Sequence, residues 1–334
     1  MAVHRLANEL VRSGDVVTVY SLSPRPAGAI YQHRMLFGGS RLLRTNLFGR
    51  LTVLPALLNF VSFDDADVVH FHGDDWFYLR RRKPTVRTLH GSALREAQSA
   101  RRWLRKLSQY AVYPLEQLSS RLSRMPLAVG TDAARIYRAK DIVDNGVDQE
   151  VFHPGAKTTF PSVLYVGTWA GRKRGQFLFD VFTNQVLPRV PEARLCMVSD
   201  YCPEHPAVTA ERFPADQALA QRFRESWVFA YPSVYEGFGM AYAEALASGT
   251  AVVSSPNDGA QYVLDGGKCG VITEDAAFGD RLTELLTSPA LRQSFEQAGL
   301  ERAQRFTWER VAAHHRELYA RGTEAWAGKL SYSN

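Results

Sequence analysis

Short runs of β-branched and aromatic residues alternate along the chain with stretches whose apolar positions recur every three or four residues. In the first part these runs are VVTVYSL at 16–22, DVVHFHG at 67–73, TVRTLHG at 85–91 and PLAVGTD at 126–132. A strand–helix–strand rhythm of this kind predicts a parallel, doubly wound sheet. The rhythm breaks at the NGVD turn of 145–148 and the VFHPGAKTTFP stretch that follows. It restarts with SVLYVGT at 162–168, ARLCMVSD at 193–200, WVFAYPS at 227–233, TAVVSS at 250–255 and GVIT at 270–273, with helical segments such as ADQALAQRFRE between them. The expected fold is α/β with two Rossmann-like domains, residues 1–150 and 151–307, and a last helix over 308–327 that packs back on the first. A chain of 334 residues is longer than one hydrophobic core usually serves, which fits two domains.

The chain opens on a helical pattern, MAVHRLANELVRSG, and reaches its first strand only after Ser13-Gly14. In a doubly wound domain the first strand is central, and the loop after it carries the glycines that approach phosphate. The first domain is therefore expected to lack its first strand and Gly-rich loop.

Composition narrows the classes. With 46% apolar and 22% charged residues the chain reads as globular, not disordered or fibrous. Cys196, Cys202 and Cys269 are odd in number and form no C-x-x-C pair, which argues against a disulfide framework or a zinc site and fits a reducing compartment. No apolar run approaches the roughly 18 residues a membrane span needs, and the N-terminus lacks the apolar core of a signal peptide. These features predict a cytoplasmic protein.

Charge is uneven: residues 1–155 hold 22 Lys/Arg against 14 Asp/Glu, although the whole chain is only +6. The clusters at Leu79–Lys83 and at Arg95, Arg101, Arg102, Arg105 and Lys106 suit phosphates, an anionic membrane surface or nucleic acid, and equally a solvated helix face. Nucleic acid is disfavoured, because neither aromatic platforms on a sheet nor a helix-turn-helix signature accompanies them. Trp103, Leu104 and Leu107, interleaved with the basic residues on the Leu94–Leu107 helix, suit a peripheral seat on the inner face of the plasma membrane, where a lipid-linked acceptor would lie.

The densest chemical signal is YPSVYEGFGMAYAEALASGTAVVSS at 231–255. A strand ends in YPS, an EGFG turn follows, and an Ala-rich helix closes at Gly249 before the next strand. Glu236 stands in the turn and Glu244 on the helix. Gly237 and Gly239 let the backbone approach a ligand, and the amides of Phe238, Gly239 and Met240 at the helix start favour an anion or a hydroxyl-rich group. Two acceptors beside several donors suit a nucleotide sugar.

This E-x7-E stretch resembles the motif of the retaining family-four glycosyltransferases (glycosyl transferases group 1), which have the GT-B fold of two Rossmann-like domains facing a cleft. The resemblance implies that Glu236 holds donor-sugar hydroxyls, Glu244 the ribose, and the amides of residues 238–240 the sugar and diphosphate. LYVGTWAGRKRGQFLFDVF is similar to the family's first C-terminal strand and basic loop, with Gly167-Thr168 where the family has Gly-Arg and Arg174-Gly175 where it has Lys-Gly. Arg172 and Lys173, then Arg174, are the expected partners of the diphosphate, since guanidinium and ammonium groups in a dry site stabilise leaving-group charge. PNDGAQYVLDGGKCGVI at 256–272 resembles the loop near the nucleotide, with Gly259 approaching the diphosphate, and DNGVDQEVFHPG at 144–155 resembles the interdomain linker.

His90 ends a strand in RTLHGS, the edge on which open α/β sheets place ligands. The resemblance implies that it faces the donor sugar in a front-face, retaining transfer whose leaving phosphate accepts the acceptor's proton. HFHGDDW also admits a metal reading, with His70 and His72 on one face and Asp74 and Asp75 nearby. Alternate strand residues share a face for packing reasons alone, and the resembling fold typically needs no metal. His72, Gly73 and Asp74 are therefore expected to line the acceptor side. The leading expectation is a hexosyltransferase using a UDP- or GDP-type sugar and a glycan, lipid-linked or natural-product acceptor, with no cofactor; the alternative is a catalytically silent binding or scaffold protein of the same fold.

Overall fold

The structure is a computed structural model that describes residues 2–100 and 102–331, with side chains through 327. Arg101, one of the basic cluster, lies outside the described residues. The chain forms two compact units: residues 2–98, 102–146 and 308–331 make the first, and 147–307 make the second, to which Ser99 and Ala100 also belong.

The second unit is one six-stranded sheet. Its strands are β7 (Ser162–Val166), β8 (Arg194–Val198), β9 (Val208–Glu211), β10 (Val228–Tyr231), β11 (Ala251–Ser254) and β12 (Val271–Ile272), ordered β12-β11-β10-β7-β8-β9 and parallel throughout. Helices cover both faces, which is why β10 and β11 are buried at every position and read as unbroken apolar runs. The order reverses between β7 and β10, and the crevice of such a sheet opens outside the carboxyl ends of the strands at that reversal.

The first unit holds two separate parallel sheets: β1 (Thr18–Ser21) with β2 (Gln32–Met35), and β3 (Val69–Phe71), β4 (Thr85–Leu89), β5 (Met125–Val129) and β6 (Asp141–Val143) in sequence order. No hydrogen-bonded ladder joins β1 to β3. Between them stands the ring of Phe63, edge-on to Tyr20 of β1 at 5.1 Å and to Phe71 of β3 at 6.3 Å. A doubly wound sheet places its first strand between these two positions, so the expectation of a missing central strand corresponds to this break.

Helices close the unit from both ends of the sequence. The helix Ala2–Arg12 packs Leu6 and Leu10 against Val311 and Ala312 of the helix Trp308–Ser331. The NG turn admits this return because a Cβ at Gly146 would lie 2.3 Å from the Trp308 ring. Behind β3, the buried Asp75 carboxylate accepts from Arg81 Nη2 at 3.0 Å and Ser119 Oγ at 2.6 Å. That packing takes Asp75 away from His70 and His72, and among the described residues no group of three or more His, Cys, Asp or Glu is arranged to hold a metal ion.

Candidate donor site

The loops after β7 and β10 meet at the reversal point of the second unit. Gly167 continues β7 with its N–H donating to the Val198 carbonyl at 2.9 Å, and a Cβ there would lie 2.7 Å from the Tyr165 hydroxyl and 3.0 Å from Lys173 Cβ. Glycine at this position lets the loop fold back. Arg172 and Lys173 then both reach Glu236: Arg172 Nη1 donates to Oε1 at 2.7 Å and Lys173 Nζ at 2.6 Å. Ser233 Oγ donates to the same oxygen at 2.6 Å. One oxygen of a carboxylate that is only 8% exposed thus serves three donors, leaving Oε2 for other partners. Lys173 also donates to the Tyr231 hydroxyl.

The EGFG turn depends on close backbone approaches. Gly239 has φ +89 at the cap of the helix Met240–Ala247, and a Cβ there would strike the Tyr242 ring at 2.4 Å. Gly259 N–H donates to the Glu236 carbonyl at 3.0 Å; a Cβ at 259 would lie 2.7 Å from the Phe238 carbonyl oxygen and 2.8 Å from Glu236 Cβ. Its lack of a side chain therefore seats the following helix on the turn. The Phe238 ring is buried, edge-on to Phe306 at 5.5 Å, so only its backbone faces the helix start. The amides of Phe238, Gly239 and Met240 donate to no protein acceptor among the described residues, which gives the helix N-terminus its anion-binding character.

Glu244 is half-buried one helical turn further along and has no hydrogen-bond partner among the described residues. Burial, with Asp216 adding and Lys173 opposing, pushes its carboxyl up to about 7. Arg174 is directed elsewhere than Arg172 and Lys173: at φ +60 it turns to make a two-pronged pair with Asp275, at 2.9 and 2.5 Å, and stacks over Phe177 at 4.0 Å.

Sequence reasoning missed the supporting polar groups. Asn257 Nδ2 donates to the Ser233 carbonyl and the Tyr242 hydroxyl, each at 2.9 Å, while its Oδ1 caps the next helix by accepting from Ala260 N–H at 2.8 Å. The only sequence signal was its place before an Asp-Gly helix start.

In the first unit, His72 and His90 stand at the carboxyl ends of β3 and β4. His72 Nδ1 lies 2.9 Å from His90 Nε2, so the sheet joins a residue expected on the acceptor side to one expected on the sugar. Gly73 lies beside the buried Arg87 guanidinium, 3.9 Å from its Cβ position. Asp74, at φ +54, faces Arg50 at 3.8 Å, and burial raises its carboxyl above the ordinary range while Arg50 opposes.

Residues 1–158 match the family model Glycosyltransferase Family 4 and residues 160–288 the model Glycosyl transferases group 1. Phosphatidyl-myo-inositol mannosyltransferase of Mycobacterium tuberculosis is 28% identical over 214 residues, 58% of this chain and 55% of that protein; the chain thus spans about half of that relative's length. Sucrose-phosphate synthase from Thermosynechococcus elongatus superposes with a TM-score of 0.76 at 19% identity, covering 97% of this chain and 93% of that one. Anabaena HepE, solved with UDP and glucose, gives 0.68 at 15% identity, with 95% of each covered. The two family matches are consecutive along the chain, and the architecture shared with these solved structures is the GT-B fold.

Proposed function

We propose that the chain moves a hexose from a nucleoside-diphosphate sugar to an acceptor with retention of anomeric configuration. The observation that carries this reading is the Glu236 cluster: two cations and a carboxylate held together beside free helix amides, at the sheet reversal. Arg172 and Lys173 supply charge for the diphosphate leaving group, Oε2 of Glu236 accepts from sugar hydroxyls, and Glu244 is placed for a ribose hydroxyl. Charge neutralisation by side chains requires no metal or cofactor. HepE, of the same fold, binds UDP and glucose, and the mannosyltransferase relative supports a hexose.

The acceptor is proposed to be a glycan or lipid-linked molecule at an anionic, cytoplasmic membrane face. Trp103 and Leu104 are 67% and 64% exposed beside Arg102, Arg105 and Lys106, a composition that suits lipid headgroups. Co-sedimentation with phosphatidylglycerol vesicles at low salt checks this, and absence of binding rejects it.

Melting curves with UDP-, GDP- and dTDP-sugars, followed by NMR of the product's anomeric proton, test the main reading. No shift with any sugar rejects donor binding, and an inverted product rejects retention. A donor-binding protein without turnover is the second reading; a melting shift without nucleoside-diphosphate release under any acceptor supports it.

A further inference from the structure

His70 and His72 on and just beyond β3, and Thr88 and His90 on and just beyond β4, point to one face of the first unit's sheet, since alternate residues share a face. The helix Trp308–Ser331 lays His315 and Tyr319 over that face. His70 contacts the Tyr319 hydroxyl through Nδ1 and Thr88 Oγ1 through Nε2, both at 2.7 Å. Its ring lies 4.0 Å from that of His72, which in turn stacks on His90 with 27° between planes. His315 Nδ1 lies 2.7 Å from the Val311 carbonyl oxygen. A carbonyl only accepts, so Nδ1 carries the proton and Nε2 of neutral His315 is an acceptor. His72, His90 and His315 line one small cavity with Asp144 and Asn145.

Like charges crowd this group. Arg87 projects from β4 toward His70, His72 and His90, and these three would meet the charge of neighbouring imidazoles if protonated; at His315 the like charge is His314 and the opposing carboxylate Asp144. Dehydration by the surrounding protein, then these charges, hold His70 and His72 well below the ordinary histidine value, while dehydration is the main cause that brings His90 and His315 to about 4.

We propose that His72 is a positioning residue for His90: the contact between its Nδ1 and His90 Nε2 fixes the orientation and tautomer of His90, which then meets substrate through Nδ1 as a neutral group. One proton lies between the two nitrogens. If His72 donates it, His90 keeps its own proton on Nδ1 and offers N–H outward. If His90 donates it, Nδ1 is bare and accepts from a hydroxyl. The outward character of His90 is thereby set by a ring 18 residues earlier, because the hydrogen bond at one imidazole nitrogen decides the state of the other. His90 Nδ1 has no protein partner among the described residues. The catalytic consequence rests on the transferase reading above; the positioning contact does not.

The test is long-range proton–nitrogen correlation NMR of the full chain with labelled histidine, from about pH 5 to about pH 8. Wild-type His90 is expected in a neutral form across that range. His72→Leu should move the His90 nitrogens toward a solvent-exchanged tautomer average across that range. His72→Asn, whose amide sits where Nδ1 did, should restore the wild-type signals. In turnover, His72→Leu should lower kcat about tenfold with donor KM little changed, and adding it to His90→Ala should cost nothing further. Unchanged His90 signals in His72→Leu overturn the proposal whether or not the chain transfers sugar, as do additive losses in the double variant. Shifted signals in a protein that never turns over would uphold the positioning and count against the transferase reading alone.

Discussion

At the carboxyl ends of β7 and β10 the second unit gathers two cations around one carboxylate, whereas at the carboxyl ends of β3 and β4 the first unit gathers imidazoles. The second crevice sits on a continuous six-stranded sheet, and its two cations share one carboxylate within hydrogen-bond reach, leaving a net positive charge. The first sits beside a broken sheet, where dehydration and neighbouring charges lower the proton affinity of His70 and His72. A diphosphate demands full charges, and these need a rigid, pre-paired setting to be held in a partly dry site. On the reading proposed above, imidazoles whose protonation is costly offer sugar hydroxyls both a donor and an acceptor, beside the Glu236 carboxylate of the second unit.

The largest expected effect breaks the charged side. Glu236→Ala should lower turnover by about 10²- to 10³-fold, yet nucleoside diphosphate without sugar should bind at least as tightly, because Arg172 and Lys173 are released. Titration calorimetry with UDP and GDP beside turnover checks this. Weaker diphosphate binding would mean that the carboxylate chiefly positions the cations.

Arg172→Ala and Lys173→Ala should each weaken diphosphate binding about 10- to 100-fold, the value of a charge-assisted hydrogen bond. Arg174→Ala should change it less than about threefold and stability by no more than about 1 kcal/mol, as befits a partly exposed pair with Asp275. An equal loss at all three positions would remove the distinction between them.

The imidazole side predicts acid sensitivity. His315 is buried and binds its proton in the folded state only near about 4, whereas the unfolded chain takes it up near 6.5. Between those values the unfolded state holds more protons, so stability is complete above the upper value and falls as pH drops. The loss from His315 approaches about 3 kcal/mol by the lower value. Melting temperature followed from neutral to acid pH should show this, and His315→Gln should flatten the slope; an unchanged slope would show that His315 does not contribute to it.

The smallest effect sharpens the geometry of the turn. Gly259→Ala should cost about 1–3 kcal/mol and weaken donor binding, since the new methyl strikes the backbone of Phe238 and Glu236. Full retention of both stability and binding would show that the turn can yield.

Much of this was legible along the chain. The strand runs, the restart after the NGVD turn and the C-cap at Gly249 depend on local periodicity and backbone freedom, and β7, β10 and β11 lie within the runs that foretold them. The EGFG turn was legible for the same reason, because Gly239 is required by its own φ and its own helix. Asn257 was not, since its partners Ser233 and Tyr242 stand 24 and 15 residues away along the chain.

By itself, then, the sequence determined the α/β rhythm and the residues that could form a donor site. Tertiary structure alone decided how three consecutive basic residues divide their work. A single left-handed backbone step sends Arg174 to Asp275, about 100 residues away, and leaves Arg172 and Lys173 to Glu236, more than 60 away. It also decided that His72 serves His90 through the parallel register of β3 and β4. The direction of a side chain in a loop, and its partner across a sheet, are set by neighbours far along the chain, and local pattern carries no record of them.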